Sequence, residues 1–254
     1  MRKTPLLLAA CLWVAGCAAT SAGHAPALRK AIVDVPTVTE AIALQKEIDG
    51  HAAMPPPAGE AWLRVIEGTS PVIVTAPHAT QPFREGRQRF ADGGGTAALA
   101  VALHRIAGVT VIYTTYASPS DPNYYDDNSF KAALREQIAK VRPRFVLDLH
   151  GSAAARPYEV DLGTMNGRSI AGHEALEARL VEALRSEGLV NISSNYFAAA
   201  QQQTITKFAA ARGVPAMQLE ISTTWLDPAR DELGAHRFAQ LLQALARFVQ
   251  EEAR

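Results

Sequence analysis

Two kinds of apolar segment alternate along the chain from about residue 61 onward. Short runs of consecutive apolar and β-branched residues, such as residues 72–76, are typical of strands inside a sheet, whereas apolar residues at intervals of three and four predict helices. Strands are predicted in WLRVIEG, PVIVTA, VTVIYTT, RFVLDLH, YEVDLGT and AMQLEIS, and helices in TAALAVALHRIAG, FKAALREQIAKV, GHEALEARLVEALRSEG, TITKFAAARG and the closing stretch from about Asp231. This alternation predicts an α/β fold, a three-layer sandwich with a mixed, largely parallel central sheet.

The segment before this alternation has a different pattern. Residues 17–59 are predicted to be a tether that contains one helix, VPTVTEAIALQKEID, and a proline-rich break, HAAMPPPAGE. Residues 60–254 are then expected to form the main α/β domain. Polar residues and glycines give the helix ends: Thr39 is a candidate cap for the tether helix, Thr96 is expected at the N-cap of the helix TAALAVALHRIAG, and Gly108 is expected at its end.

The first residues have the pattern of a targeting signal. Arg2 and Lys3 precede a short apolar run, PLLLAACLWVA, which is too short to span a bilayer. It ends in VAGC, which resembles the lipobox of bacterial lipoproteins. The resemblance implies a signal peptide over residues 1–16, cleavage before Cys17, and lipidation of its thiol. By the same resemblance, Ala18 rather than Asp after the cysteine favours the outer membrane. We therefore expect a protein anchored at the cell envelope that faces the periplasm.

Composition narrows the chemistry further. Both cysteines, Cys11 and Cys17, lie in the leader, so the mature domain is expected to have neither a disulfide nor a thiolate ligand. A metal site would have to be built from histidine and carboxylate side chains. Lys and Arg together number 25, as do Asp and Glu, and no basic stripe is present. Nucleic acid is therefore not an expected partner, and the membrane is reached through the lipid anchor alone.

Polar side chains lie at the ends of several predicted strands. His78 follows the strand at 72–76, Asp148 and His150 are two positions apart in LDLH, and Glu220 interrupts an apolar strand. Asp92 precedes a run of three glycines that opens a helix. Ligands of open α/β sheets bind at the carboxyl ends of strands, and two histidines with a carboxylate suit Zn²⁺. Bound zinc lowers the pKa of water to about 7, and Asp148 is placed to orient His150.

Four of these segments occur in an order that resembles the N-formylglutamate amidohydrolase family, itself distantly similar to the zinc carboxypeptidases. They are PHAT, ADGGGTAAL, VLDLHGS and AMQLEIS, and the resemblance extends from roughly Ser70 to the end of the chain. It implies a zinc exopeptidase-like fold and cleavage of an amide bond beside a carboxylated amino acid. By this resemblance His78, Asp92 and His150 are zinc ligands, and Glu220 is the general base.

The chain departs from the family pattern in two places. The zinc carboxypeptidases carry a glutamate three residues after the first histidine, where this chain has Gln81, so Glu85 is a rival to Asp92 as third ligand. The arginine that often follows the strand glutamate is also missing from STTWLDPAR. A substrate carboxylate would need another partner, and the candidates are Arg84, Arg156 and Arg87.

The sequence therefore favours a zinc-dependent hydrolase, anchored at the envelope, that cleaves an amide bond of an N-acyl amino acid or short peptide. The alternative is a non-catalytic envelope lipoprotein that binds a peptide or an acidic metabolite in a retained cleft. A serine hydrolase is a weaker hypothesis, because HGS at residues 150–152 lacks the G-x-S-x-G nucleophile elbow.

Overall fold

The structure is a computed structural model that describes residues 30–254. The predicted signal peptide, the lipidation site Cys17 and the start of the predicted tether lie outside the described residues. Residues Ala31–Arg254 form one compact unit. Among the residues described, no helix has the length and apolar character needed to cross a membrane.

A seven-stranded sheet forms the middle layer, and a separate two-stranded hairpin lies outside it. In chain order the strands are β1 (Leu63–Ile66), β2 (Val72–Ala76), the hairpin strands β3 (Phe83–Arg84) and β4 (Arg87–Gln88), β5 (Thr110–Thr114), β6 (Phe145–Ser152), β7 (Val160–Gly163), β8 (Ile192–Ser194) and β9 (Ala216–Ser222). The sheet order is β1-β5-β2-β6-β9-β7-β8. Strands β5, β2, β6 and β9 are mutually parallel, whereas β1 and β7 pair antiparallel with their inner neighbours.

Helices cover both faces of this sheet. They are α1 (Val35–His51), α2 (Thr96–Ala107), α3 (Ser129–Val141), α4 (Ala175–Ser186), α5 (Ile205–Ala210), the short α6 (Thr223–Leu226) and α7 (Glu232–Glu252). Helices α1, α2, α4 and α7 contribute to the larger hydrophobic core on one face, and α3 and α5 contribute to a smaller core on the other. The predicted fold class, an α/β sandwich with a mixed, mostly parallel sheet, is confirmed.

The two faces of the central strands differ in a way that positions the site. On one face the residues are apolar and most belong to the larger core, for example Leu147 and Leu149 of β6. On the other face the residues change from apolar to polar toward the carboxyl ends. The first row across β2, β6 and β9 is Ile73, Val146 and Ala216, and the next is Thr75, Asp148 and Gln218. The third row contains His150 and Glu220, and the last contains Ser152 and Ser222. The smaller core therefore ends where the polar rows begin.

Residues 35–51, which the sequence places in a tether, belong to the compact unit. Helix α1 buries Ala41 and Ile48 in the larger core, against α2 and α7. The prediction of Thr39 as the cap of this helix is wrong. Asp34 is the N-cap, because its side chain accepts a hydrogen bond of 3.0 Å from the backbone N–H of Thr37. Thr39 lies inside the helix, and its hydroxyl donates to the carbonyl oxygen of Val35. Asp and Thr are both favoured N-cap residues, so residue preference alone does not tell which of the two begins the helix.

The ends of helix α2 were predicted to within one residue. Its N-cap is Gly95 rather than the expected Thr96, which lies inside the first turn. Gly95 has a φ of +92°, a conformation that threonine rarely adopts, so the chain turns into the helix one residue earlier. The expected end at Gly108 is confirmed, with a left-handed conformation and a hydrogen bond to the His104 carbonyl oxygen.

Candidate metal centre

Three side chains from separate parts of the sequence converge at the carboxyl ends of β2 and β6. His78 lies two residues beyond β2, Asp92 lies in the loop before α2, and His150 lies within β6. Each offers one ligand atom, and these atoms all lie within 4.8 Å of one another. Both imidazoles are buried, whereas the Asp92 side chain is 50% exposed, so the cluster opens to solvent through the carboxylate.

The two ring nitrogens of His78 have different partners. Nδ1 lies 3.0 Å from Oδ1 of Asp92, and Nε2 lies 2.8 Å from Oδ1 of Asp121. Asp121 is itself only 1% exposed. A histidine that binds a metal through one nitrogen usually donates its other N–H to a carboxylate or carbonyl, which fixes the ring and its tautomer. Nδ1 of His78 is therefore the nitrogen placed for a metal, with Asp121 behind it.

His150 shows the same arrangement. Its Nε2 lies 3.0 Å from Oδ2 of Asp148, which leaves Nδ1 as the nitrogen able to face the cluster. Asp148 is fully buried, and its other oxygen accepts a hydrogen bond of 2.7 Å from the Thr75 hydroxyl. The structure thus brings Asp148 into contact with His150, as the spacing in LDLH predicts. The aspartate is held in its turn by a strand neighbour.

Glycines allow the Asp92 loop to approach the sheet. A Cβ on Gly151 would lie 1.8 Å from the carbonyl oxygen of Asp92, and one on Gly93 would lie 2.7 Å from the carbonyl oxygen of His78. The amide N–H of Gly93 donates to that same His78 carbonyl at 3.1 Å. Any larger residue at Gly151 would separate the loop from β6. These two glycines therefore bring Asp92 close to the two histidines.

The charges of the cluster favour a bound cation. Burial lowers the pKa of His78, but the charge of Asp92 and hydrogen bonds to Asp121 and Asp92 outweigh it and raise that pKa well above 6.5. The pKa of His150 is raised in the same sense, because Asp148 outweighs its burial. Burial raises the pKa of Asp92, yet the His78 charge and hydrogen bond bring it below its ordinary value. The carboxylates thus stabilise positive charge at this position, which a divalent cation would also supply.

Glu220 lies beside this cluster on the neighbouring strand. Its Cα is in register with that of His150 across β6 and β9, and its Oε1 accepts a hydrogen bond of 2.7 Å from Nε2 of Gln218. Burial raises the pKa of Glu220, Asp92 raises it further, and the positive charge of His150 partly opposes the shift. Glu220 is therefore a partly buried carboxyl group beside the candidate metal ligands, with a pKa above its ordinary value.

The rival ligand Glu85 is not part of the cluster. It lies at the turn of the β3–β4 hairpin, with a φ of +54°, and its side chain is 55% exposed. Its Oε1 accepts a hydrogen bond of 2.9 Å from the Tyr124 hydroxyl. Within residues 30–254 the metal-ligand geometry joins His78 and His150 to Asp92 and not to Glu85.

The three candidate arginines lie in different environments. Arg84 directs Nη1 toward Oδ2 of Asp121 at 3.5 Å, so its guanidinium is close to the carboxylate that holds His78. Arg87 is exposed on the hairpin. Arg156 is exposed, donates to the Tyr196 hydroxyl at 3.3 Å and lies 5.0 Å from the ring centroid of Phe197. Arg84 is thus the candidate that contacts a partner of the metal-ligand cluster.

Sequence reasoning missed Asp121. This residue lies in a loop rich in turn residues, SPSDPNYYDDN, without periodicity to indicate which side chain points inward. In the structure Asp121 accepts the backbone N–H of Asn123 at 2.8 Å as well as contacting His78 and Arg84. The available signal was the Asp-Pro-Asn sequence, because an aspartate in such a turn commonly accepts the N–H two residues later.

Comparison with known proteins shows the class of fold. No protein-family model matches the chain, and no curated protein matches its sequence. Among solved structures, N-formylglutamate amidohydrolase from Ralstonia eutropha is similar with a TM-score of 0.53 and 18% identity, over 76% of this chain and 97% of that one. A bacteriophage poly-gamma-glutamate hydrolase has a TM-score of 0.50 and 19% identity, over 77% and 89% of the two chains.

A metallo-carboxypeptidase from Pseudomonas aeruginosa has a TM-score of 0.47 at 15% identity, over 84% of this chain and 68% of that one. At these identities the first two similarities establish a shared fold. The chain thus has the α/β fold of an amidohydrolase and a hydrolase of polyglutamate, with a histidine–aspartate–histidine cluster at the carboxyl ends of its parallel strands.

Proposed function

We propose that this protein is a zinc-dependent hydrolase that cleaves the amide bond of an N-acyl amino acid or a short peptide. One observation carries the proposal: the ligand atoms of His78, Asp92 and His150 lie within 4.8 Å of one another beside the carboxyl group of Glu220. Three protein ligands and one open position are typical of catalytic zinc sites.

The donor set fits zinc better than the harder divalent cations. Two imidazole nitrogens with one carboxylate oxygen suit Zn²⁺, whereas Ca²⁺ and Mg²⁺ prefer all-oxygen sites. Both histidines have a carboxylate on the far nitrogen, which is the arrangement found around histidine ligands. Bound zinc supplies Lewis-acid chemistry, because it polarises a carbonyl group and makes a water molecule acidic enough to react near neutral pH.

Glu220 is the group that moves the proton in this proposal. One carboxylate oxygen, Oε1, is occupied by the Gln218 amide, so Oε2 is available to take a proton from the attacking water. The same oxygen can then deliver that proton to the nitrogen of the departing amine. Burial favours transfer of the proton to Glu220, because it raises the pKa of this carboxyl. Asp121 and Asp148 hold the two histidines in fixed orientations meanwhile.

A carboxylate-bearing substrate is the class we favour. Two proteins of similar fold, N-formylglutamate amidohydrolase and poly-gamma-glutamate hydrolase, are named for glutamate-containing compounds. Arg84 offers a guanidinium near the site, and its buried Nε has no hydrogen-bond partner within the described part of the chain. The carboxylate oxygen Oε2 of Glu85 lies 4.0 Å from this Nε, and a substrate carboxylate that displaces Glu85 would satisfy the donor. Attachment to the envelope through a lipid on Cys17 remains part of the proposal, supported by the VAGC motif.

The test combines metal analysis with turnover. Protein purified without chelators is analysed for zinc and assayed on a panel of N-acyl amino acids and short peptides. General-base catalysis typically contributes about 10²–10⁴-fold, so Glu220→Gln should lower kcat by that order while zinc content stays near one per chain. The matched control is Glu136→Gln on the exposed surface of α3, which should retain full activity.

Two results would contradict the proposal. Zinc below stoichiometry in the wild-type protein after supplementation would remove the metal, and full turnover by Glu220→Gln would remove the base. Stoichiometric zinc with no turnover of any substrate, together with binding of a peptide or acidic metabolite, would support the non-catalytic lipoprotein instead.

A further inference from the structure

A chain of hydrogen bonds leads to Glu220 from the start of helix α5. The backbone N–H of Ile205 donates to Oδ1 of Asn123 at 2.8 Å. Nδ2 of Asn123 donates to Oε1 of Gln218 at 3.4 Å, and Nε2 of Gln218 donates to Oε1 of Glu220 at 2.7 Å. Gln218 is 5% exposed, so its amide has little access to solvent that could replace these partners.

The donor-to-acceptor direction of these hydrogen bonds is set at one end by a backbone amide. The N–H of Ile205 lies in the first turn of α5, where amides have no partner within the helix, and it can only donate. Asn123 must therefore present its oxygen to Ile205 and its NH₂ to Gln218. Gln218 then presents its oxygen to Asn123 and its NH₂ to Glu220. The last acceptor is consequently a carboxylate oxygen of Glu220, without any freedom for an amide flip.

We propose that Gln218 is a positioning residue for Glu220 and that Asn123 fixes the orientation of the Gln218 amide. This inference rests on the proposed function, in which Glu220 is the general base. Gln218 and Glu220 are two positions apart in β9 and thus lie on the same face of the sheet. The Gln218 amide holds Oε1 of Glu220, so Oε2 is the oxygen left for the proton transfer in the proposed function.

The loop that contains Asn123 also connects these hydrogen bonds to the candidate metal ligands. The backbone N–H of Asn123 donates to Oδ1 of Asp121 at 2.8 Å, and that oxygen lies 2.8 Å from Nε2 of His78. Residues 121–123 therefore supply Asp121, the orienting partner of His78, and also contact Gln218, the proposed orienting partner of Glu220. This arrangement fixes Glu220 relative to His78 through side chains on a single turn.

Kinetics give the first test. Gln218→Met keeps the length of the side chain and removes the donor. A misplacement of about 1 Å at a catalytic group can cost about 10²-fold in rate, so kcat should fall about 10- to 100-fold while KM and zinc content stay near wild type. The matched control is Gln137→Met, because Gln137 is a glutamine of similar burial, 4% exposed, on α3. A structural role alone would lower stability in both variants without a selective loss of kcat.

Side-chain amide NMR gives a test that does not need turnover. The Gln218 NH₂ signals in the ¹⁵N-labelled full chain are identified by their absence from Gln218→Met. We expect one of the two protons to lie downfield, because it donates to a carboxylate. That proton should move upfield in Glu220→Ala and should also shift in Asn123→Ala, in which the amide loses the partner that orients it. If Gln218→Met does not fold, Asn123→Ala should show the same selective fall in kcat.

The outcomes distinguish failure of the positioning role of Gln218 from failure of the proposed function. Gln218 signals that move in neither variant, or full kcat in Gln218→Met, would overturn the positioning role. Absence of turnover in the wild-type protein would defeat the proposed function, whereas the amide shifts would still decide whether the hydrogen-bond chain holds Glu220.

Discussion

Replacing Gly151 with alanine should displace Asp92 from the candidate metal centre. The added Cβ would lie 1.8 Å from the carbonyl oxygen of Asp92, where ordinary contacts begin at 3.4 Å. The Asp92 backbone, or strand β6, must therefore move by about 1.6 Å, the difference between those two distances. Metal–ligand distances vary by only about 0.2 Å between well-formed sites. A shift several times larger should take the carboxylate out of ligand range, although Asp92 itself is unchanged.

Mutation of a residue that only orients a metal ligand lowers metal affinity about 10- to 100-fold. Displacement of the ligand itself in Gly151→Ala should lower zinc affinity by at least that much. Overpacking should also cost about 1–3 kcal/mol of the free energy of unfolding. Zinc affinity is measured by competition with a chromophoric chelator, and folding by thermal unfolding of the metal-free protein. The control is Gly94→Ala in the same loop, because a Cβ there meets no atom within 4 Å and the residue does not have a positive φ. It should bind zinc as the wild type does.

The result that would refute this reasoning is wild-type zinc affinity in a folded Gly151→Ala protein. The Asp92 loop would then not supply a ligand, or its approach to β6 would not matter for the site. Equal losses in Gly151→Ala and Gly94→Ala would indicate general disturbance of the loop, which also contradicts the specific contact.

Three further predictions follow from the site and the leader. Asp92→Ala should lose zinc and Glu85→Ala should keep it, as measured by elemental analysis; the reverse result would make Glu85 the third ligand. The pKa of Glu220 is raised above 4.5, which means that the folded state disfavours the ionised carboxylate. The contribution of Glu220 to the free energy of unfolding is therefore fully present only below pH 4.5, and it is lost as the pH rises through the raised pKa. Metal-free Glu220→Gln should therefore melt at a higher temperature than the metal-free wild type at neutral pH, with the difference vanishing in acid; equal melting temperatures at neutral pH would contradict this. Cys17→Ser should release the protein from the membrane fraction or leave it unprocessed in cell fractionation, and unchanged membrane association would rule out the lipid anchor.

The strands and the positions of the histidines were predictable because they follow from local patterns. The run 72–76 consists of apolar and β-branched residues and is followed by a proline, so His78 was expected beyond the strand. The choice between Asp92 and Glu85 was not predictable in this way. It depends on the contact between Gly151 and the Asp92 loop. These two segments lie far apart in the sequence, so no local hydrophobic pattern indicates that they meet. The edge strand β8 was missed because three residues give too short a pattern.

The location of the site has a physical reason in the sheet itself. In the row Thr75, Asp148 and Gln218, three neighbouring strands place polar side chains on a face that would otherwise extend the smaller core. Burial of polar groups is unfavourable unless they are hydrogen-bonded, and all three side chains have partners: Thr75 and His150 for Asp148, and Glu220 for Gln218. The opposite face of the same strands stays apolar throughout and carries the larger core. Because the stabilising burial lies on that face, the other face can hold a layer of side chains whose role is to orient the ligands and the base above them.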